Sequence, residues 1–331
     1  MPMNTVILTD APDQLSEFFP ATPAWKQAEP TSLGPTLQNL WTAIGTGGSP
    51  WISNAPDSFN AGGWDAIAII DRAPGSQFDA LHEASTRNTG LPDATACLAL
   101  RGRGFHGNRA RPWSVEMGNL HLTTHHNCNI PVSRARLGFS MLPTVAATRA
   151  LAGQAGKPGH IGIKWVNDIL IEGQKVAGSL TSTQIQNEAY TSVVMGLGMN
   201  VERTPPIDAS RFVPAAGCLA DLLPVSCLTL PDVLPKVLRA FDDAYRKLIA
   251  EGQDELLDAY RRFSCCIGEE VTVWAENVSD FASAEPLAQG RLLKINDDLS
   301  LTIEGHHAPV DKGRLAFTNK SWPMGTARIA D

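Results

Sequence analysis

Apolar residues recur along this chain in two rhythms, and the places where the rhythm changes mark its organisation. Short β-rich runs at 66–70, 95–100, 119–124, 161–166, 169–171 and 192–199 predict strands, and 141–152 predicts a helix between the third and fourth. A longer helix is predicted over 232–250, where Val233, Leu234, Val237, Leu238, Phe241, Tyr245, Leu248 and Ile249 repeat at three- and four-residue spacing. Thr229 is placed to cap it, Pro231 lies in its first turn and Gly252 breaks it, after which Leu256, Leu257 and Tyr260 open a shorter helix. Strands interleaved with helices imply a mixed α/β layer. Beyond Cys266 the pattern is purely β, with apolar alternation at 268–277, 290–296, 299–305 and 314–318 separated by Gly, Asn or Asp turns, the pattern of a small barrel.

The first 75 residues differ in character. They hold Trp25, Trp41, Trp51 and Trp64 among many Pro, Gly and Ser, with one short helix predicted at 35–44, and this many aromatics implies packing onto the main body. At 331 residues the chain exceeds the usual size of one domain, and 43% hydrophobic against 18% charged residues excludes a disordered polymer. The net charge of −7 argues against a general nucleic-acid footprint, so any phosphate chemistry has to be local. No apolar run approaches the ~18 residues of a membrane span, and the N-terminus lacks the features of a targeting signal, so no membrane association and a cytoplasmic location are expected. Cys97, Cys128, Cys218, Cys227, Cys265 and Cys266 show no CxxC spacing and are expected to be reduced thiols. The neighbouring pairs His125-His126 and His306-His307 are poorly placed to share a metal, because adjacent residues on a strand face opposite ways.

Three segments join glycine to a cation. Residues 101–113 hold three glycines and four arginines after a strand, a composition that brings backbone N–H groups and guanidinium forks to an anion. The alternative is a solvated basic loop or an RGG-like stretch, although such stretches occupy low-complexity tracts. In the second, an apolar strand delivers Lys164, Asn167 and Asp168, and a buried lysine needs an anionic partner. The third places Lys175 at a hairpin turn with Gly178 beside it, and Gly196 and Gly198 then let a flat ligand approach a strand. Each is weak alone, since most turn lysines face solvent; their order and number carry the weight.

That order is specific. Ser85-Thr86-Arg87-Asn88, Gly102-Arg103-Gly104 followed by Gly107-Asn108 and Trp113, Gly118-Asn119-Leu120-His121-Leu122, Lys164-Trp165-Val166-Asn167-Asp168-Ile169, Lys175-Val176-Ala177-Gly178 and Gly196-Leu197-Gly198-Met199-Asn200 together resemble the biotin protein ligase (holocarboxylase synthetase) family of the biotin and lipoate ligase superfamily. The resemblance implies an α+β fold: a class II aminoacyl-tRNA synthetase-like mixed-sheet catalytic domain over 76–262 and an SH3-like β-barrel over 263–331, preceded by the extension 1–75. It implies ATP-dependent attachment of biotin to a lysine of a biotin carboxyl carrier acceptor domain of a biotin-dependent carboxylase, through a biotinyl-adenylate. ATP and Mg²⁺ are the expected cofactors, with no metal held by protein ligands alone and Mg²⁺ near Asp168. A monomer or weak homodimer is expected. A lipoate or octanoate ligase of the same superfamily, or a non-catalytic ligand-binding paralogue, are the alternatives.

The resemblance also implies roles. Ser85 and Thr86 line the ureido end of the ligand, Gly102, Arg103 and Gly104 meet its carboxylate and the phosphates, and Trp113 stacks on adenine. Lys164, Asn167 and Asp168 surround the phosphates and metal, Lys175 lies beside the acyl phosphate with Gly178 behind it, and Asn200 lies near the nucleotide. Independently of any family, joining a carboxylate to the α-phosphate of ATP brings two anions together, which calls for cations fixed in advance. The chain departs from the family pattern at several points. Ala99, Leu100 and Arg101 stand where a Gln is usual, Phe105 replaces the second loop arginine, Val166 replaces a proline, and 109–112 are inserted before Trp113. Arg109 or Arg111 is expected to restore the lost charge, and the loop is expected to be mobile until a ligand orders it.

Overall fold

The protein is described by a computed structural model covering residues 5–152, 161–213, 215–223, 228–276, 278 and 284–318; Cys227 and the end of the predicted 263–331 domain lie outside the described residues. The strands are β1 (Val6–Thr9), β2 (Lys26–Gln27), β3 (Trp51–Asn54), β4 (Ala66–Ala73), β5 (Thr95–Gly102), β6 (Leu120–Pro131), β7 (Ile161–Lys164), β8 (Asp168–Ile171), β9 (Gln174–Gln186), β10 (Ala189–Met199), β11 (Glu270–Trp274), β12 (Ala288–Ile295), β13 (Leu301–Ile303) and β14 (Arg314–Phe317). The helices are α1 (Pro35–Ile44), α2 (Gln77–Thr86), α3 (Val132–Ala135), α4 (Gly138–Ala152), α5 (Leu219–Leu222), α6 (Leu230–Glu251) and α7 (Asp254–Phe263).

Ten strands form one mixed sheet in the order β2-β3-β1-β4-β5-β6-β10-β9-β8-β7. Only the β1–β4 and β4–β5 pairs are parallel. Helices cover both faces, which is why β4 reads as an unbroken apolar run. Ile67 and Ile69 point into the larger core with α4, α6 and α7, while Ala66, Ala68 and Ile70 point to a second core closed by Leu40, Trp41 and Ile44 of α1 and Leu81 and Ala84 of α2. Thr229 and Asp232 form a capping box at the start of α6, and the left-handed Gly252 stops it, as the sequence predicted.

The first 75 residues are more than a packed extension: β1, β2, β3 and β4 are strands of the main sheet, and Trp41 and Trp64 are buried. Helix α2, absent from the sequence reading, starts at the N-cap Ser76. At the other end, β13-β12-β11-β14 form a separate antiparallel sheet. Its inward residues Val271, Val273, Leu292, Ile295, Leu301 and Leu315 run continuously into the larger core. Trp165 donates its indole N–H to the Leu299 carbonyl at 2.9 Å, and Arg261 donates to the Ile295 carbonyl at 2.8 Å, tying the two sheets together.

Candidate active site

The register of the main sheet puts five residues from five neighbouring strands in one line: His121 opposite Gly198, Gly198 opposite Gly178, Gly178 opposite Asp168, and Asp168 opposite Lys164. Cross-strand partners face the same way, so this line is a floor with two bare glycines at its centre. A cavity of about 860 Å³ lies over it. Trp113 lies on Gly198 so closely that a Cβ there would fall 2.4 Å from the indole, and Lys175 lies over Gly178. The Lys175 ammonium sits 5.8 Å from the Trp113 ring centre and 2.6 Å from Asp168 Oδ1.

Asp168 is squeezed between charges. Burial pushes its carboxyl upward, but the ammoniums of Lys175 and Lys164 outweigh this and hold it below the usual carboxylate value. Lys164 is 3% exposed and donates to the Phe212 carbonyl at 2.8 Å; burial lowers its pKa, and Asp168 opposes that shift. The anionic partner that sequence demanded for Lys164 is thus internal. Asn167 donates to the Ser179 carbonyl, and the Trp165–Val166 peptide bond before it is cis. Asn200 lines the cavity with its Nδ2 donating to the Gly217 carbonyl at 2.9 Å, while its buried Oδ1 has no partner. Around the cavity stand six cations, Arg109, Arg111, Lys164, Lys175, Lys312 and Arg314, against four carboxylates, Asp168, Glu276, Asp298 and Asp311. In a chain of net charge −7, this local excess suits an anionic ligand.

The remaining sequence-predicted residues are placed elsewhere. Ser85 and Thr86 end α2, outside the cavity lining: Ser85 donates to Ser192 Oγ at 2.9 Å, and Thr86 to the His82 carbonyl within its own helix. The α2 residues that do line the cavity, Ser76, Phe78 and His82, come from its first turns. Gly102, Arg103 and Gly104 are also outside the lining, with Arg103 donating to the Pro74 carbonyl at 3.2 Å. Arg101 is engaged by Asp71 at 2.9 Å. The two inserted arginines part company. Arg109 pairs with Glu276, in the turn after β11, whereas Arg111 is close enough to Asp168 to help lower its pKa.

The loop itself is tethered. Gly107 donates to the Arg111 carbonyl at 2.8 Å, Trp113 donates to the Phe105 carbonyl at 3.0 Å, and His106 Nε2 lies 3.0 Å from Asp79 on α2. Sequence reasoning missed His121, Thr123, Phe78, Lys312 and Arg314, all of which line the cavity. His121 and Thr123 were open to discovery, because Leu120 and Leu122 alternate with them and point into the core. Nothing local marks Arg314, which arrives from the C-terminal sheet with its guanidinium 3.6 Å from the centre of the Phe212 ring.

Residues 122–200, which span β6 to β10 and hold four of the five floor residues, match the biotin/lipoate A/B protein ligase family. That segment is about a quarter of the chain and is similar to this family. The bifunctional ligase/repressor BirA of Bacillus subtilis is 25% identical over 224 residues, 67% of this chain and 65% of that protein. Biotin–[acetyl-CoA-carboxylase] ligase of Paracoccus denitrificans is 30% identical over 135 residues, 40% of this chain and 55% of the relative. The matches thus span under two thirds of these two relatives' lengths. Biotin protein ligase from Aquifex aeolicus in complex with biotin and ATP shares the fold, with a TM-score of 0.57 at 17% identity over 76% of this chain and 97% of that one. The matched segment carries Lys164, Asn167, Asp168, Lys175, Gly178 and Asn200, and the glycine–arginine loop lies before it.

Proposed function

We propose that this protein is an ATP-dependent biotin–protein ligase. It condenses biotin with ATP to biotinyl-adenylate and passes the acyl group to a lysine of a biotin carboxyl carrier domain of a carboxylase. The observation that carries the reading is the floor of the cavity: two glycines that leave room for the Trp113 indole and the Lys175 side chain, so that an aromatic face and an ammonium stand side by side with Asp168 and Lys164 next to them.

In the first step a biotin carboxylate oxygen attacks the α-phosphorus, the bond to the β-phosphate bridging oxygen breaks, and pyrophosphate leaves. Lys175, held over Gly178 by Asp168, faces the charge that builds on the α-phosphate, and Lys164 supports it from the buried side. Trp113 offers its free face to adenine, and the unpartnered Asn200 Oδ1 is an acceptor for the adenine amino group. In the second step an acceptor lysine amine attacks the acyl carbon, AMP departs, and the nitrogen loses its proton. The fixed floor contributes orientation of the anhydride toward the entering amine.

Among the described residues no three His, Cys, Asp or Glu converge as a metal site. Asp168 and the Asn167 amide oxygen are the hard oxygen donors at the phosphate end, a set suited to Mg²⁺ that takes its other ligands from polyphosphate and water. Such an ion would neutralise the departing pyrophosphate. The domains are read as the extension 1–75, a class II synthetase-like catalytic domain over 76–262 and an SH3-like domain over 263–331. Ser85 and Thr86 are read as standing beside the ring end of the ligand, on the same face of the sheet as the floor, where Ser85 bonds Ser192. Gly102, Arg103 and Gly104 reach it when the loop turns inward. The protein is read as cytoplasmic and as a monomer or weak homodimer; no helix among the described residues is long and apolar enough to cross a membrane.

Pyrophosphate exchange measured with biotin, lipoate and octanoate in turn tests the reading. Biotin-dependent exchange is the expected result. Exchange with lipoate or octanoate alone would reassign the acid, and no exchange with any of them would leave a ligand-binding paralogue.

A further inference from the structure

The geometry points to His121 as a positioning residue that fixes the indole of Trp113 for a purine. This rests on reading the cavity as a nucleotide site. His121 is 3% exposed and occupies the floor position next to Gly198, the glycine on which Trp113 lies. Both ring nitrogens are engaged. Nε2 lies 3.3 Å from the Glu116 carbonyl and Nδ1 lies 3.3 Å from the Trp113 indole nitrogen. A carbonyl only accepts and an indole N–H only donates, so Nε2 carries the proton and Nδ1 receives the indole N–H; one neutral tautomer satisfies both bonds. Phe105 packs against the same imidazole at 5.6 Å between ring centres.

The indole is therefore located by three independent contacts. Gly198 fixes its height above the sheet, His121 fixes its rotation in the ring plane, and its backbone N–H bond to the Phe105 carbonyl fixes its root on the loop. Because His121 consumes the only polar atom of the indole, what remains for a ligand is an apolar face, which suits stacking and not hydrogen-bonded recognition. Phe105, the departure from the family's arginine, thereby gains a use: it closes the far side of the imidazole that holds Trp113.

The test uses the full chain with His121→Leu, which removes the acceptor, and His121→Asn, whose amide oxygen can stand near the Nδ1 position. Both are also made in a Trp113→Phe background. Exchange kinetics and calorimetric titration with ATP are read together, so that nucleotide affinity is measured even if exchange is absent. His121→Leu is expected to raise the KM and Kd for ATP about five- to tenfold, the scale of one lost hydrogen bond, with kcat within about twofold and the KM for biotin unmoved. His121→Asn is expected to recover most of this, and His121→Leu on top of Trp113→Phe to add less than about twofold, as coupled neighbours do. Additive losses, an Asn variant no better than Leu, or a biotin KM that rises as much as that for ATP would overturn the assignment. Failure of the parent protein to exchange with any acid would instead defeat the ligase reading, leaving the ATP titration to decide on His121.

Discussion

Lys164 and Lys175 stand on paired strands of the central sheet, whereas Arg103, Arg109 and Arg111 stand on a connecting loop that closes mainly on itself. The lysines are positioned by ladder register, which cannot shift by one residue without turning every neighbour to the opposite face. Two of the arginines depend on contacts distant in sequence, Arg103 on the Pro74 carbonyl and Arg109 on Glu276, while Arg111 donates to the Asn108 carbonyl within the loop at 3.0 Å and lies close enough to Asp168 to lower its pKa. Arg109 and Ala110 even adopt left-handed backbone angles, φ 58° and 55°, that favour glycine. Charge on a sheet is thus fixed before a ligand arrives, and charge on the loop is adjustable.

The sharpest way to break this contrast is to remove one cation from each region. Lys175→Ala is expected to lower pyrophosphate exchange by ~10²-fold or more, as losing a preorganised charge does. Arg103→Ala, exposed and outside the cavity lining, is expected to cost no more than about fivefold. Equal losses would mean that the loop, once turned inward, holds its charge as firmly in place as the sheet holds the lysine's. A thermal melt of each variant separates lost chemistry from lost fold.

A smaller effect separates the inserted arginines. Arg111→Ala is expected to speed escape of free adenylate about tenfold, because a charge-assisted contact is lost beside Asp168. Arg109→Ala, whose guanidinium is already taken by Glu276, is expected to change escape by less than about twofold, the scale of a surface pair. Single-turnover release of labelled adenylate measures both, and the reverse ranking would reassign the compensating charge to Arg109.

Acid and base should act oppositely on the two regions. Burial, helped by His125, holds His126 down at about 3, while the unfolded side chain titrates near 6.5. Between those values the unfolded chain binds a proton that the native one refuses, so stability present above 6.5 is lost as pH falls, by about 1.4 kcal/mol per unit from this group. His126→Phe should flatten that part of a denaturant-midpoint profile. His106 is shifted the other way, its pKa raised by the Gly107 carbonyl and by Asp79. Its hold on α2 is present below 6.5 and lost as pH climbs through the raised value. Tryptic cleavage between Arg101 and Arg111 should therefore quicken toward alkaline pH, by no more than about fivefold for one exposed pair, while global stability falls only slightly over the same range. Cleavage that instead tracks acid destabilisation would show the loop to be part of the same cooperative unit as the sheet.

Sequence by itself determined the elements whose evidence is local. The apolar period of α6, its cap at Thr229 and its stop at Gly252 are written within a few residues of one another. The same holds for the β runs of the C-terminal sheet, and for Lys164, Asp168 and Lys175, which ride on strands flanking two tight turns. Tertiary structure decided what depends on pairing across long separations. Ser85 and Thr86 fell at the end of α2 and not over the floor, because the helix begins at Ser76 and its first turns reach the cavity. The strands β1 and β3 joined the sheet because β1 could pair with both β3 and the predicted strand β4, a choice with no local signal. The line from His121 to Lys164 exists only through register among five strands, and Arg314 joins the cavity only because the small sheet packs against the large one. Local periodicity records which face of an element is apolar; which other element covers that face is settled by burial and hydrogen-bond pairing summed over the whole fold.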